Sequence, residues 1–165
     1  MNDVSNATSR TPLPAQLRIV GWPDPIIDRL GFPPHHPYSE LVWLPATGPA
    51  ATLAWRRLAQ LLEHSPDGFD LDVAQFAQDL GLGVGTGGHS IISRTLRRLA
   101  MFELAIFVDE QTCAVRRRIP PAPARHLRRL SPHLRRIHTA LLASHDNERL
   151  GRERAAESTS LRRWA

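Results

Sequence analysis

Apolar residues recur at helical spacing in three stretches between Pro49 and Phe102, then switch to the two-residue period of strands. The first stretch follows Thr47 and Gly48, has Pro49 in a favourable first-turn position, and runs to about Glu63. At roughly 100° per residue, Ala51, Ala54, Trp55, Leu58, Leu61 and Leu62 share one face, with Arg56, Arg57 and Gln60 opposite. Ser65, Pro66, Asp67 and Gly68 carry turn chemistry, and Asp70 is placed to cap a second helix whose Val73, Phe76, Ala77 and Leu80 lie on one face. Gly81 closes it, and a glycine-rich turn leads to a third helix from about His89 or Ser90 to Phe102. Its predicted core face holds Ile91, Ile92, Thr95, Leu96, Leu99 and Phe102; Ser90, Ser93, Arg94, Arg97 and Met101 face away, with Arg98 at the border. Leu104 to Val108 and Thr112 to Arg118 then read as two short strands, with the turn supplied by Asp109, Glu110 and Gln111.

The ends of the chain follow other rules. Nine of the fourteen prolines precede residue 50, so residues 1–37 read as an extended, partly disordered arm, of which Trp22, Ile26, Ile27, Leu30 and Phe32 are apolar enough to dock. Residues 38–121 form the predicted domain. Residues 122–145 form a basic helical extension, in which Ser131 caps and Pro132 opens a last helix with Leu134, Ile137, Leu141 and Leu142 at helical spacing. Residues 146–165 are nearly all polar and read as a disordered tail. On this division residues 1–20 and 146–165 are dispensable for folding, and a protease-resistant core spans about 22–145. Leu134, Ile137 and Leu141 form a stripe suited to docking on the domain or to homodimerisation.

Three helices followed by a hairpin give the predicted fold class: mainly α with a small β-hairpin, a winged helix-turn-helix with a three-helix core, a wing and a C-terminal helix. Charge sharpens that picture. All 21 basic residues are arginine; residues 1–93 carry five Arg against nine acids, and residues 94–165 carry sixteen against seven. Such a dipole along the chain suits a polyanionic partner for the second half. The expected partner is double-stranded DNA, with the helix 89–102 in the major groove and the hairpin on phosphates. Arg94 and Arg97, one turn apart, suit bidentate contact with guanine, and Ser90, Ser93 and Arg98 accompany them. On the second strand Arg116 and Arg118 share a face opposite Arg117, giving two phosphate contacts and one partner for Asp109 or Glu110. The alternative is a winged helix used for protein contacts, through the Trp22, Phe32 and Trp43 region and the last helix.

Other chemistry is not supported. Gly83–Gly88 fits G-x-G-x-x-G but follows a helix where a strand is required, and His89 stands where a phosphate-binding loop needs lysine. His133 and His138 are five apart and diverge on a helix, while a single Cys113 forms neither a disulfide framework nor a cysteine zinc site. No nucleophile–base spacing stands out, so no catalytic residue, metal, cofactor or small-molecule ligand is expected. Without a signal-like start or an apolar run of about 20 residues, no membrane association is expected and the compartment reads as cytoplasmic.

Tyr38 to Pro45, Gly48-Pro49, the helix with Trp55-Arg56-Arg57-Leu58, and Val115 to Pro121 resemble a group of small actinobacterial winged helix-turn-helix proteins of the DNA-binding type. The resemblance spans roughly Tyr38 to Leu142 and implies a helix-turn-helix fold. The long Gly83–Gly88 turn departs from the tight turn of simple helix-turn-helix repressors.

Overall fold

A computed structural model of the chain describes residues 12–163; residues 1–11 of the predicted arm and 164–165 of the predicted tail lie outside the described residues. The fold is mixed α/β, and its sheet has four strands where a two-stranded hairpin was predicted. The strands are β1 (Gln16–Gly21), β2 (Phe69–Asp72), β3 (Ala105–Phe107) and β4 (Thr112–Val115), in the spatial order β2-β1-β4-β3. β1 pairs antiparallel with β2 and parallel with β4, so the predicted arm supplies an inner strand.

The reason lies in the sequence of β1. Leu17 and Ile19 point inward and are buried, while Arg18 on the other face pairs with Asp70 at 3.4 Å. The prolines at 12, 14, 23 and 25 bracket this alternation without interrupting it. Beyond β1, Asp24 caps α1 (Pro25–Leu30) by accepting from the amides of Ile26 and Ile27, and Phe32 bridges to Ile119 in the core.

Next come a π-helical turn (Ser39–Trp43), α2 (Leu44–Thr47) and the long core helix α3 (Pro49–His64). Trp55 and Leu58 on α3 are fully buried, and the Trp55 indole N–H donates to the Arg116 carbonyl at 2.9 Å. Trp43 does the same to Pro120 at 2.8 Å, so two tryptophans hold the backbone of the arginine run. α4 (Val73–Asp79) is capped by Asp72 rather than by Asp70, which lies within β2. It ends in a Schellman motif: Gly81 has φ +68°, its amide donates to Gln78, and the Leu82 amide donates to Ala77. α5 (Ile91–Met101) starts on the Ser90 cap and ends the same way, with Glu103 at φ +57° where glycine is usual.

After β4, a four-residue helix α6 (Ala124–Leu127) precedes α7 (Pro132–Arg163), which the Ser131 hydroxyl caps by accepting from the Leu134 amide. α7 continues through 146–163, where a disordered tail was predicted. Ion pairs explain part of this. Arg149 bonds Glu153 one turn on at 3.0 Å and lies 3.9 Å from Asp146, while Arg29 of α1 reaches Glu153 at 3.3 Å. Upstream, His145 stacks on Phe32 and His138 bonds the Tyr38 hydroxyl at 2.8 Å, so the helix lies along the N-terminal segment. Leu134, Leu141 and Leu142 pack against the core and Ile137 is half-buried. The stripe predicted for docking or dimerisation therefore packs on the chain's own domain. Among the described residues no helix is long and apolar enough to cross a membrane.

Candidate nucleic-acid interface

The predicted reading helix is present, but its exposed face is turned. Ile92, Thr95, Leu96 and Leu99 are buried and Met101 is exposed, as expected, but Ser93, expected outside, is buried and Ile91, expected in the core, is 47% exposed. The outward face of α5 is thus Ile91, Arg94, Arg98 and Met101. The glycine-rich turn causes the difference by folding back over the other side. Thr86 there accepts from the Ser93 hydroxyl at 3.4 Å, and Gly88 accepts from Arg97 at 2.7 Å. Ser93, covered by that turn, is not available to a phosphate. Ser90 is half-buried and spends its hydroxyl on the cap, accepting from the Ser93 amide and donating to the Ser93 hydroxyl.

The arginines of the predicted site divide by what their guanidinium groups already hold. The Arg94 side chain is exposed and makes no hydrogen bond or ion pair among the described residues. Arg97 is half-buried and bound to Gly88. Arg98 donates to the Ala46 and Thr47 carbonyls at the negative end of α2, with its guanidinium 5.2 Å from the Phe102 ring centroid. Its surface is exposed while its donors are occupied.

The Arg116–Arg118 run differs most from expectation. β4 ends at Val115, so the run lies beyond the hairpin rather than on it. The side chain of Arg116 is only 11% exposed; it bonds Asp24 at 2.6 Å and the Glu103 carbonyl at 2.7 Å, and lies 4.0 Å from the Trp22 ring centroid. Its acidic partner is Asp24 of the N-terminal segment, not Asp109 or Glu110. The Arg116 bond holds the Asp24 carboxyl below the ordinary carboxylate range. Arg117 donates to Pro66 at 2.8 Å and lies so close over Gly21 that a Cβ there would sit 2.5 Å from Nε. Arg118 is half-buried and reaches the Gly31 carbonyl at 3.3 Å. Meanwhile the hairpin tip carries exposed Asp109 and Glu110, and Asp109 accepts from the Gln111 amide to close the turn. The predicted phosphate grip by Arg116 to Arg118 is therefore corrected: these arginines lie beyond the hairpin and are bonded to the fold, and the hairpin tip is acidic.

Free positive charge lies elsewhere. Arg125, Arg128, Arg129, Arg135 and Arg136 on α6, α7 and the turn between them are all exposed. Sequence reading marked this stretch as basic but assigned it no site, because periodicity alone did not show which arginines would be occupied. Cys113 is fully buried and its thiol is pushed up to about 12 by that burial, which suits a packed filler. Among the described residues no group of three or more His, Cys, Asp or Glu is placed to hold a metal ion. No protein-family model, curated protein or solved structure matches the chain.

Proposed function

We propose that the protein binds double-stranded DNA as a winged-helix regulator or accessory factor, with α5 as the helix that enters the major groove. From α3 to β4 the elements run helix, strand, helix, helix, strand, strand. That order supports a winged-helix reading, with β1 lying between β2 and β4. The observation that carries the reading is Arg94: an uncommitted arginine in the middle of the outward face of the second of two successive helices. Arginine there suits guanine O6 and N7, and exposed Ile91 and Met101 beside it suit thymine methyl groups. The same apolar pair favours a second reading, a protein-contact module, because large exposed apolar side chains on one helix face also mark protein interfaces.

Enrichment of bound duplexes from a random library separates the two. DNA reading predicts a preferred duplex, on which Arg94→Ala costs about 1–3 kcal/mol and on random duplex much less. Recovery of no preferred sequence by the folded protein contradicts it and favours the protein-contact reading.

A further inference from the structure

We infer that the exposed arginines of α6 and the start of α7, rather than the hairpin, form the surface that grips the phosphate backbone of DNA; this rests on the DNA reading above. Between Thr112 and His145 the chain holds eight arginines and no acid. Three of the eight, Arg116 to Arg118, are tied to the fold. The other five point outward. His126 and Leu130 are buried and Leu127 and Leu134 pack on the core, so this segment shows the domain an apolar side and shows solvent Arg125, Arg128, Arg129, Arg135 and Arg136.

These arginines have few internal partners. Arg125 makes one long contact, 3.4 Å to the His126 ring, and the other four make no side-chain hydrogen bond or ion pair among the described residues. Arg135 and Arg136 also stand in the first turns of α7, where the helix dipole disfavours positive charge. Five unpaired cations within twelve residues repel one another, and a polyanion relieves that repulsion.

Position connects the surface to α5. The His126 ring lies 5.2 Å from that of Phe102, the residue that ends α5, and Arg98 stacks over the same Phe102. Arg125 and Arg129 both act on the His126 ring, so their charges sit beside that end of the helix; Glu103 is the acid acting there with opposite sign. A backbone following the groove past the end of α5 meets these arginines next. The surface is less suited to a bilayer: its neighbouring outward residues are Thr139, Ala140 and Ala143, with no large apolar side chain to insert.

The test measures binding of the full chain to an enriched and a random duplex over a salt series, for wild type, Arg128→Ala/Arg129→Ala, Arg135→Ala/Arg136→Ala and Arg94→Ala. Circular dichroism checks that each variant is folded, as solvent-facing substitutions should be. Each lost phosphate contact lowers the slope of log K against log salt by roughly 0.9, so each patch variant should lose about 1–2 units of slope and weaken on both duplexes alike. Wild-type slopes in both patch variants, with Arg94→Ala still weakened on the enriched duplex, overturn the phosphate surface and leave the reading helix standing. Lowered slopes in the patch variants with Arg94→Ala unchanged support the surface and remove the reading helix. No duplex binding by wild type at 50 mM salt, or tighter binding to vesicles of anionic phospholipid than to duplex, overturns both.

Discussion

Arginines adjacent in sequence do unlike work in this protein, and the difference is set by what each guanidinium finds within bonding distance. Arg116 holds Asp24, the Glu103 carbonyl and the face of Trp22 at once. Arg116→Ala should therefore lower Tm by several degrees, since the charged bond to the Glu103 oxygen alone is worth about 1.5–3 kcal/mol. The salt dependence of DNA binding should stay at the wild-type value; a reduced slope in a folded Arg116→Ala protein would contradict the assignment. Glu103 offers a converse case. It occupies the left-handed region at φ +57°, and its side chain is exposed. Glu103→Gly should raise stability by up to about 1 kcal/mol in denaturant melts, because glycine adopts that conformation without a Cβ clash. An unchanged or lowered midpoint would show that the carboxylate contributes more than the backbone loses.

At the scale of elements, β1 and α7 depart most from what composition implies. β1 lies between β2 and β4, so removing residues 12–21 exposes two sheet edges and uncovers the groups that Leu17 and Ile19 bury. A chain beginning at residue 22 should lose its cooperative thermal transition, and a wild-type melt from that truncation would contradict the strand's role. α7 is held along the N-terminal segment by a histidine seam. Tyr38 accepts from the Ala122 amide and its hydroxyl bonds His138 Nδ1, an arrangement suited to a neutral ring with Nδ1 as acceptor. Burial lowers the pKa of His138, and burial followed by the His145 and His35 charges lowers that of His36 against the pull of Glu148. His126, flanked by Arg125 and Arg129 with Glu103 opposing them, is lowered too, with burial the largest cause. The unfolded chain therefore takes up protons first as pH falls through about 6.5. Stability contributed by this seam is full above that pH and declines below it, towards the lowered folded values. Measured against the intrinsic exchange rate at each pH, amide protection along 133–149 should fall between pH 7 and 5.5 more than protection along 51–62; equal change in both segments would remove the seam as the pH-sensitive part.

These elements also show what the sequence made legible. α3, α5 and the hairpin were readable because each carries a single strong period with its own caps: Pro49 at one start, Ser90 at another. β1 was hidden because six residues of alternation lie between prolines, and a strand so short gains its stability from partners more than fifty positions away. The tail of α7 was hidden because its apolar stripe fades where Arg29 and Arg149 take over through Glu153. For the site, the core face of α5 was largely readable. The occupancy of its arginines was not, because Gly88, Ala46, Asp24 and Pro66 approach them only after folding.

Across the whole molecule, charge is segregated on the surface. Arg98 and Arg116 to Arg118 are hydrogen-bonded to carboxylates or carbonyls of the fold, while Arg94 of α5 and the arginines of α6 and the start of α7 are left to solvent, and the hairpin tip is acidic. A polyanion should approach from the side of the last three helices and avoid the hairpin. Titrating the isotopically labelled full chain with a short duplex, and following its backbone amide resonances, tests this most directly. The account predicts shifts concentrated at Gly88–Met101 and Arg125–Arg136, with the Val108–Gln111 tip unmoved. Shifts centred on Val108–Gln111, or none at millimolar duplex and low salt, would contradict it.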